Sequence, residues 1–260
     1  MNLLTPDEHA FMIKYDPDYK ELWVLNAYSS FWHFCLYLDY KFFYSRRSVL
    51  EPIAEAMQNL VMPANPEDEI DALNVSICPR TGKSYIATSF ASWCLGHFPH
   101  ESIMRNSVTA TLYEKFSGDL IDIMTGNSHD RRYLDVFKVS FQTNSVKGWK
   151  LYNAKQGVSY FGGGVGGSII GFGASLLSIL DDSVKNEEEA LSEHMMGKKW
   201  GWYTSTMRSR EEENSGCKRL FIGTRWSTKD IVGMLQASGV FDKMRFRTAR
   251  LFRPQKQNPR

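Results

Sequence analysis

The stretch NVSICPRTGKSYIATSFASW, residues 74–93, decides how the chain is read. A β-branched run ends at Cys78, the chain passes Pro79 and Arg80, turns through Gly82, Lys83 and Ser84, and resumes with a helical composition. A strand, a tight loop and a helix N-terminus in that order turn several backbone N–H groups toward one point, which suits a phosphate. Lys83 would reach the β- and γ-phosphates, and the Ser84 hydroxyl would bind Mg²⁺. The pattern GxxxxGK[ST] is met only in part, because Ile77 stands at its first glycine. A basic turn before a surface helix could be spelled with the same letters, so the rest of the chain must decide.

With 260 residues, the chain can bury one sizeable core or just manage two small ones. Its apolar fraction of 43% and charged fraction of 23% are those of a soluble globular protein. A net charge of +2 does not mark a nucleic-acid binder, so basic groups serving that purpose must be gathered locally or through oligomerisation. Cys35, Cys78, Cys94 and Cys217 are widely scattered, without CxxC or a zinc spacing, and read as reduced thiols of an intracellular protein. The start MNLLTPDEHA has no basic n-region, and no apolar run approaches the roughly 18 residues of a membrane span.

The first 65 residues are rich in aromatic rings. Thr5–Glu8 fits a capping box with Pro6 in the first turn, and RRSVLEPIAEAMQNL has apolar residues at helical spacing. Such ring-rich helices read as core or interface. The acidic, Pro-bearing stretch from Met62 to Glu69 reads as a surface connection. Beyond it, strand and helix alternate: a strand over 72–78, a helix over 83–95, a strand over 102–108 and a helix over 109–124. This alternation predicts an α/β fold with a mostly parallel sheet covered on both faces. Short strand-like pieces follow at 136–141 and 149–152. The glycines of YFGGGVGGSIIGFG (160–173) read as preceding a strand, which excludes a dinucleotide fingerprint.

Two further segments carry chemistry. LLSILDD is an apolar strand ending in Asp181 and Asp182, and adjacent carboxylates at a buried strand end imply a nearby cation. Asp181 suits the Mg²⁺ contact and Asp182 the orientation of an attacking water, a role compatible with capping the next helix. Glu187, Glu188 and Glu189 favour that helix's N-terminus, and one of them could serve as the water-activating acid. In KRLFIGTRWSTKDIVGML, a strand over 220–223 delivers Thr224 and Arg225 at its C-terminal end. Ligands of open α/β sheets lie at that edge. Three strands thus bring Lys83 and Ser84, Asp181 and Asp182, and Thr224 and Arg225 together, and the loop reads as a phosphate cradle.

In their order, CPRTGKS (78–84), GVGGSIIGFGASLLSILDDSVKNEEEA (164–190), WYTSTMRSR (202–210) and IGTRWSTKDIVGML (222–235) resemble the ATPase domain of tailed-phage large terminases. Those are the motors that pump double-stranded DNA into a procapsid. The resemblance spans about Arg46 to Leu235, and SVTATLYEKFSGDL (107–120) matches the strand-to-helix segment after the phosphate loop. It implies a P-loop NTPase fold of ASCE type, with ATP and Mg²⁺ as substrate and cofactor. Residues 77–84 become the Walker A segment, with Cys78, Pro79, Arg80, Thr81, Gly82, Lys83 and Ser84 binding nucleotide. Residues 176–181 become the Walker B strand, with Asp181 and Ser84 toward the metal. Asp182 stands where many relatives have a catalytic glutamate, Thr224 matches the coupling motif, and Arg80 resembles the arginine proposed to sense phosphate.

Among partners, the resemblance implies double-stranded DNA, a homo-oligomeric, pentameric ring on the portal, the small terminase subunit, and no membrane. The expected location is the host cytoplasm and, transiently, the portal vertex of the procapsid. The expected organisation is a helical region at 1–65, an ATPase domain at 66–250, and a tail or linker at 251–260. Nuclease activity is not expected, since no strand-borne acidic cluster follows Asp242, and the chain reads as the ATPase half of a larger or split protein. No arginine lies between Arg132 and Arg208, so Arg105, Arg131 and Arg132 are the candidates for an arginine acting in a neighbour's site. Lys198, Lys199, Arg208 and Arg210 are the candidate DNA contacts. A helicase or remodelling ATPase, and a nucleotide-gated interaction module, are the competing readings.

Overall fold

The computed structural model describes residues 4–155, 157–169, 171–212, 215–239 and 244–249; the expected tail at 251–260 lies outside them. The ring-rich start forms short helices: α1 (Pro6–Tyr15), α2 (Pro17–Ser29), α3 (Phe31–Leu38), α4 (Tyr40–Tyr44) and α5 (Arg47–Val61). Their breaks are written in cap residues. The Thr5 capping box is formed, and the side chains of Asp16, Ser30 and Asp39 each accept an N–H three residues on. Prolines open α1 and α2, where a missing N–H is harmless.

Helix α3 has no polar face. Phe31 lies 4.9 Å from Phe90 and 5.7 Å from Trp93, ring centre to ring centre, both on the helix α6 (Lys83–His97). The Trp93 indole N–H donates to the Ala27 carbonyl at 3.2 Å. Each fully buried ring contributes roughly 1.5–3 kcal/mol, so the N-terminal helices are held firmly on α6. Their core runs without a break from Trp23 and Phe31 to Leu73, Val75 and Ile179 of the sheet.

His9 is sealed into this layer, with its ring stacked on Tyr40 at 3.8 Å and its Nδ1 paired with the Tyr19 hydroxyl at 3.0 Å. Burial, aided by the positive charge of Arg132, holds its pKa down at about 4. The folded state therefore favours neutral His9, and this contribution is complete above the ordinary histidine value near 6.5 and lost as pH falls from there toward 4. We expect at most roughly 2 kcal/mol of stability to disappear between about pH 7 and pH 5 from this residue. Urea unfolding of wild type and His9→Gln at both values checks it, since the variant should lack that part of the slope. A slope unchanged by the substitution would contradict the assignment.

The remaining chain alternates as expected. Strand β1 (Ala72–Ile77) leads to α6, and β2 (Ile103–Ser107) to α7 (Ala110–Thr125) and α8 (Arg132–Val136). A hairpin of β3 (Phe141–Ser145) and β4 (Gly148–Leu151) precedes β5 (Tyr160–Gly164) and β6 (Leu177–Asp181). Then come α9 (Glu187–Leu191) and α10 (Glu193–Trp202), which runs on through a π-helical turn at Tyr203–Met207. Strand β7 (Lys218–Gly223), α11 (Ile231–Ser238) and β8 (Met244–Ala249) complete the fold. Among the described residues, eight strands form one sheet in the order β3-β4-β5-β2-β6-β7-β1-β8. Pairing is parallel from β5 to β8 and antiparallel only at β3–β4 and β4–β5. Every residue of β1, β2 and β6 is buried, as strands covered on both faces require.

Two expectations are corrected. Residues 136–141 do not form a strand: Val136 ends α8, and strand structure begins at Phe141. The ring of Phe137 is buried against Phe34, Tyr133 and His97 and lies over Gly96, so packing overrides the β-branched pattern. The glycines at 162–164 lie inside β5 rather than before a strand. A Cβ on Gly162 would fall 1.6 Å from the Arg105 carbonyl oxygen, so this register needs glycine. The next regular element after them is β6, not a helix, and a dinucleotide fold stays excluded.

Candidate nucleotide site

The sheet register sets the site. Ser76 of β1 pairs with Gly223 of β7, and Ile222 of β7 pairs with Asp181 of β6. The chain therefore leaves β1, β6 and β7 at one edge, with β7 between the glycine-loop strand and the strand that ends in acids. That inserted strand is the mark of the ASCE type of P-loop NTPase fold, and the α/β class expected from sequence is the class observed.

The loop between β1 and α6 is tight. The Thr81 hydroxyl donates to the Cys78 carbonyl at 2.7 Å, and Gly82 sits at φ 103° as the N-cap of α6. A Cβ at Gly82 would meet the Phe42 ring at 2.7 Å, so both backbone and packing call for glycine. No side chain caps α6, and the first N–H groups of a helix have no intrahelical acceptor. Arg80 also takes a left-handed backbone, φ 66°, and is exposed beside the exposed Pro79 and half-buried Cys78.

Lys83 is the centre of the arrangement. Its ammonium lies 2.5 Å from Asp182 Oδ2 and donates to Thr224 Oγ1 at 3.2 Å. The Thr224 N–H in turn donates to Asp182 Oδ1 at 3.1 Å, and its hydroxyl reaches the Ile77 carbonyl at 3.4 Å. Residues far apart in sequence, from the ends of β1, β6 and β7, thus meet in one hydrogen-bonded cluster. Asp182 holds a left-handed backbone at φ 47°, a conformation that costs roughly 1–2 kcal/mol for a residue with a side chain. Helix α9 is capped by Asn186, so Asp182 does not have the capping role allowed for it.

Asp181 is fully buried, and one of its oxygens accepts from the Arg105 guanidinium. Burial pushes its carboxyl above the usual carboxylate range, against the pull of Arg105. Its other oxygen, Oδ1, lies 3.5 Å from the Ser84 hydroxyl, the outer limit of contact. An oxygen pair from a hydroxyl and a carboxylate fits a hard divalent cation such as Mg²⁺, which takes few protein ligands and keeps several waters. Ser84 and Asp181 Oδ1 are the groups that would hold it.

Other sequence expectations change. Arg105 has no exposure and is committed inside its own chain, so it cannot act on a neighbour. Arg132 is drawn inward, donating to the Tyr37 carbonyl at 2.8 Å, while Arg131 is exposed in a turn where residues 129–131 all have positive φ. Lys199 is no DNA contact: it is buried, pairs with Glu189 at 2.7 Å, and donates to the Ser183 carbonyl. Glu189 is occupied by this pair and by the Lys185 N–H, which removes it as a water-activating acid. Lys198 is exposed, and Arg208 and Arg210 are partly so. Sequence reasoning did not foresee the buried Arg105–Asp181 pair. A guanidinium in an apolar central strand, SIMRNSV (102–108), was the available signal, because buried charges are paired.

The sheet order and this cluster together make the loop between β1 and α6 a candidate phosphate-binding site. No model of a known protein family matches the sequence, and no curated protein matches it. Among solved structures, the ATPase domain of the Thermus phage P74-26 large terminase is similar, with 16% identity and a TM-score of 0.39 over 59% of each chain. An arginine-to-alanine mutant of that domain gives 16% identity and a TM-score of 0.38, covering 59% of this chain and 60% of that one. The match thus spans about three fifths of those domains, and at this level of overlap their function does not transfer to this chain. Among the described residues, no helix is long and apolar enough to cross a membrane.

Proposed function

We propose that this chain is the ATP-hydrolysing motor domain of a tailed-phage large terminase, which drives double-stranded DNA into a procapsid. The observation that carries the reading is the convergence on Lys83 of Asp182 and Thr224, at 2.5 and 3.2 Å, from two other strand ends. The order of the sequence motifs, from the phosphate loop to the segment around Thr224, adds the terminase identity to the ATPase chemistry. Within this reading the helices at 1–65 form a layer on an ATPase domain at 66–250.

The residues divide the work as follows. The backbone N–H groups of Gly82, Lys83 and Ser84 cradle the phosphates, and the Lys83 ammonium neutralises the charge that develops on the γ-phosphoryl group. Phosphate arriving at the loop competes with Asp182 for that ammonium. Asp182, released from Lys83, accepts a hydrogen bond from the attacking water and orients it in line with the phosphoryl group. Mg²⁺, when bound with the nucleotide, neutralises phosphate charge beside Ser84 and Asp181. Thr224, bonded to both Lys83 and Asp182, links the state of the phosphate site to β7 and to α11 behind it. Arg80 lies at the loop's outer edge as the phosphate-sensing arginine, and Arg131 is the exposed arginine suited to a neighbouring subunit's site in a ring.

With a net charge of only +2, the domain should bind duplex weakly and without base preference, through groups such as Lys198, Arg208 and Arg210. The test is steady-state ATP turnover with and without linear duplex DNA, together with a forked duplex reporting strand separation. We expect duplex to stimulate turnover, the stimulation to fall steeply with salt, and the fork to stay paired. Strand separation would favour a helicase, and turnover indifferent to duplex at low salt would overturn the motor assignment.

A further inference from the structure

Arg105 stands in the middle of β2, and its guanidinium is wholly removed from water. A buried guanidinium persists only where acceptors surround it. Its Nη1 donates to Thr88 Oγ1 at 2.8 Å, and its Nη2 donates both to the Ser84 carbonyl at 3.3 Å and to Asp181 Oδ2. The Phe116 ring of α7 covers it at 4.1 Å, and Tyr160 is a further electrostatic neighbour. One rigid fork therefore grips the first two turns of α6 and the acid at the end of β6. The strand that leads into α6, β1, is separated from β6 in the sheet by β7, and the fork joins the two sides through a side chain.

We propose that Arg105 is a positioning residue of the nucleotide site: by holding Asp181 Oδ2 and the Ser84 carbonyl at once, it aims Asp181 Oδ1 and the Ser84 hydroxyl at one point, where the divalent cation of the nucleotide binds. The inference rests on the reading of Gly82, Lys83 and Ser84 as a phosphate loop. Without the fork, nothing else in the described contacts fixes which Asp181 oxygen faces Ser84, since only Oδ1 makes that contact, at 3.5 Å. A lysine would keep the positive charge but not the planar, three-acceptor grip.

The experiment is equilibrium binding of a fluorescent ATP analogue to the full chain, with excess Mg²⁺ and with EDTA, beside thermal melting. In wild type, Mg²⁺ should strengthen binding. In Arg105→Lys, that Mg²⁺-dependent gain should shrink by about 10–100-fold, the usual effect of losing a group that orients a metal ligand. Binding in EDTA should stay within about twofold, because the phosphate cradle itself is untouched. A folded Arg105→Lys with the full Mg²⁺ gain overturns the proposal, as does an equal loss with and without Mg²⁺, the pattern of a merely structural role. Should Arg105→Lys not fold, Thr88→Val decides: it removes the hydroxyl that orients Nη1 and should lose part of the Mg²⁺ gain, and an unchanged gain overturns the proposal. A wild type that binds no analogue, or binds it as well as Lys83→Ala does, instead refutes the underlying phosphate loop.

Discussion

Lys83→Ala is expected to lower ATP turnover by roughly 10²–10³-fold or more and to weaken ATP binding strongly. The ammonium removed is the positive group at the meeting point of three strand ends, 2.5 Å from Asp182 and 3.2 Å from Thr224. Backbone N–H groups can cradle phosphate oxygens, but they carry no net charge to offset what develops on the γ-phosphoryl group. The truncation also leaves Asp182, whose side chain is only 25% exposed, facing incoming phosphate with its negative charge unpaired. Both effects act on the nucleotide, so binding and turnover fall together. A Lys83 that belonged to an ordinary basic turn would behave differently. Its loss would alter stability by the roughly 0–1 kcal/mol of a surface pair and leave any turnover intact. Turnover and ATP affinity measured on the same preparation, with melting to confirm the fold, separate the two cases.

Asp182→Asn is expected to separate the two effects, with ATP held and hydrolysis reduced by about 10²–10⁴-fold, the usual range for loss of a group acting on the proton in flight. Asparagine keeps the shape of aspartate and can still accept the Thr224 N–H, so the loop between β6 and α9 should hold its course. What it loses is the negative charge that orients water and draws off a proton. It also loses its hold on Lys83, leaving the ammonium wholly available to phosphate. Affinity for ATP should therefore be equal to wild type or tighter, while the rate constant for hydrolysis falls. Pre-steady-state trapping of ATP on the variant, with kcat and Kd taken separately, reads both. Equal losses in binding and rate would move Asp182 to the ground state, and normal turnover would remove it from the mechanism.

Local signals in the sequence were enough to read the strand, glycine turn and helix around Gly82 and the acid-tipped strand. Strand, glycine turn and helix N-terminus lie within residues 72–97, and caps such as Thr5 sit three residues from their partners. The end-of-strand positions of Asp181 and Thr224 followed from apolar runs that stop at polar residues. Contacts fixed by strand order were harder to see. The fork of Arg105 reaches Asp181 only because β2 and β6 are neighbours, with Ser107 opposite Asp181, a fact no window of sequence contains. Lys199 reads as a candidate DNA contact beside Lys198 until α10 folds back so that it meets Ser183 and Glu189. At Val136–Phe137, intrinsic β preference lost to a ring cluster assembled from α3, α6 and α8. The misreadings thus fall where a long-range partner overrules the local pattern.

In the proposed mechanism ATP is held by the loop between β1 and α6. The most direct test of this is to follow the backbone amide resonances of the full chain while MgATP is added. The amides of Gly82, Lys83 and Ser84 should move first and saturably as their N–H groups take phosphate oxygens, with Asp182 and Thr224 following, and Lys83→Ala should remove the response. Saturable binding that leaves the Gly82, Lys83 and Ser84 amides unmoved would contradict it.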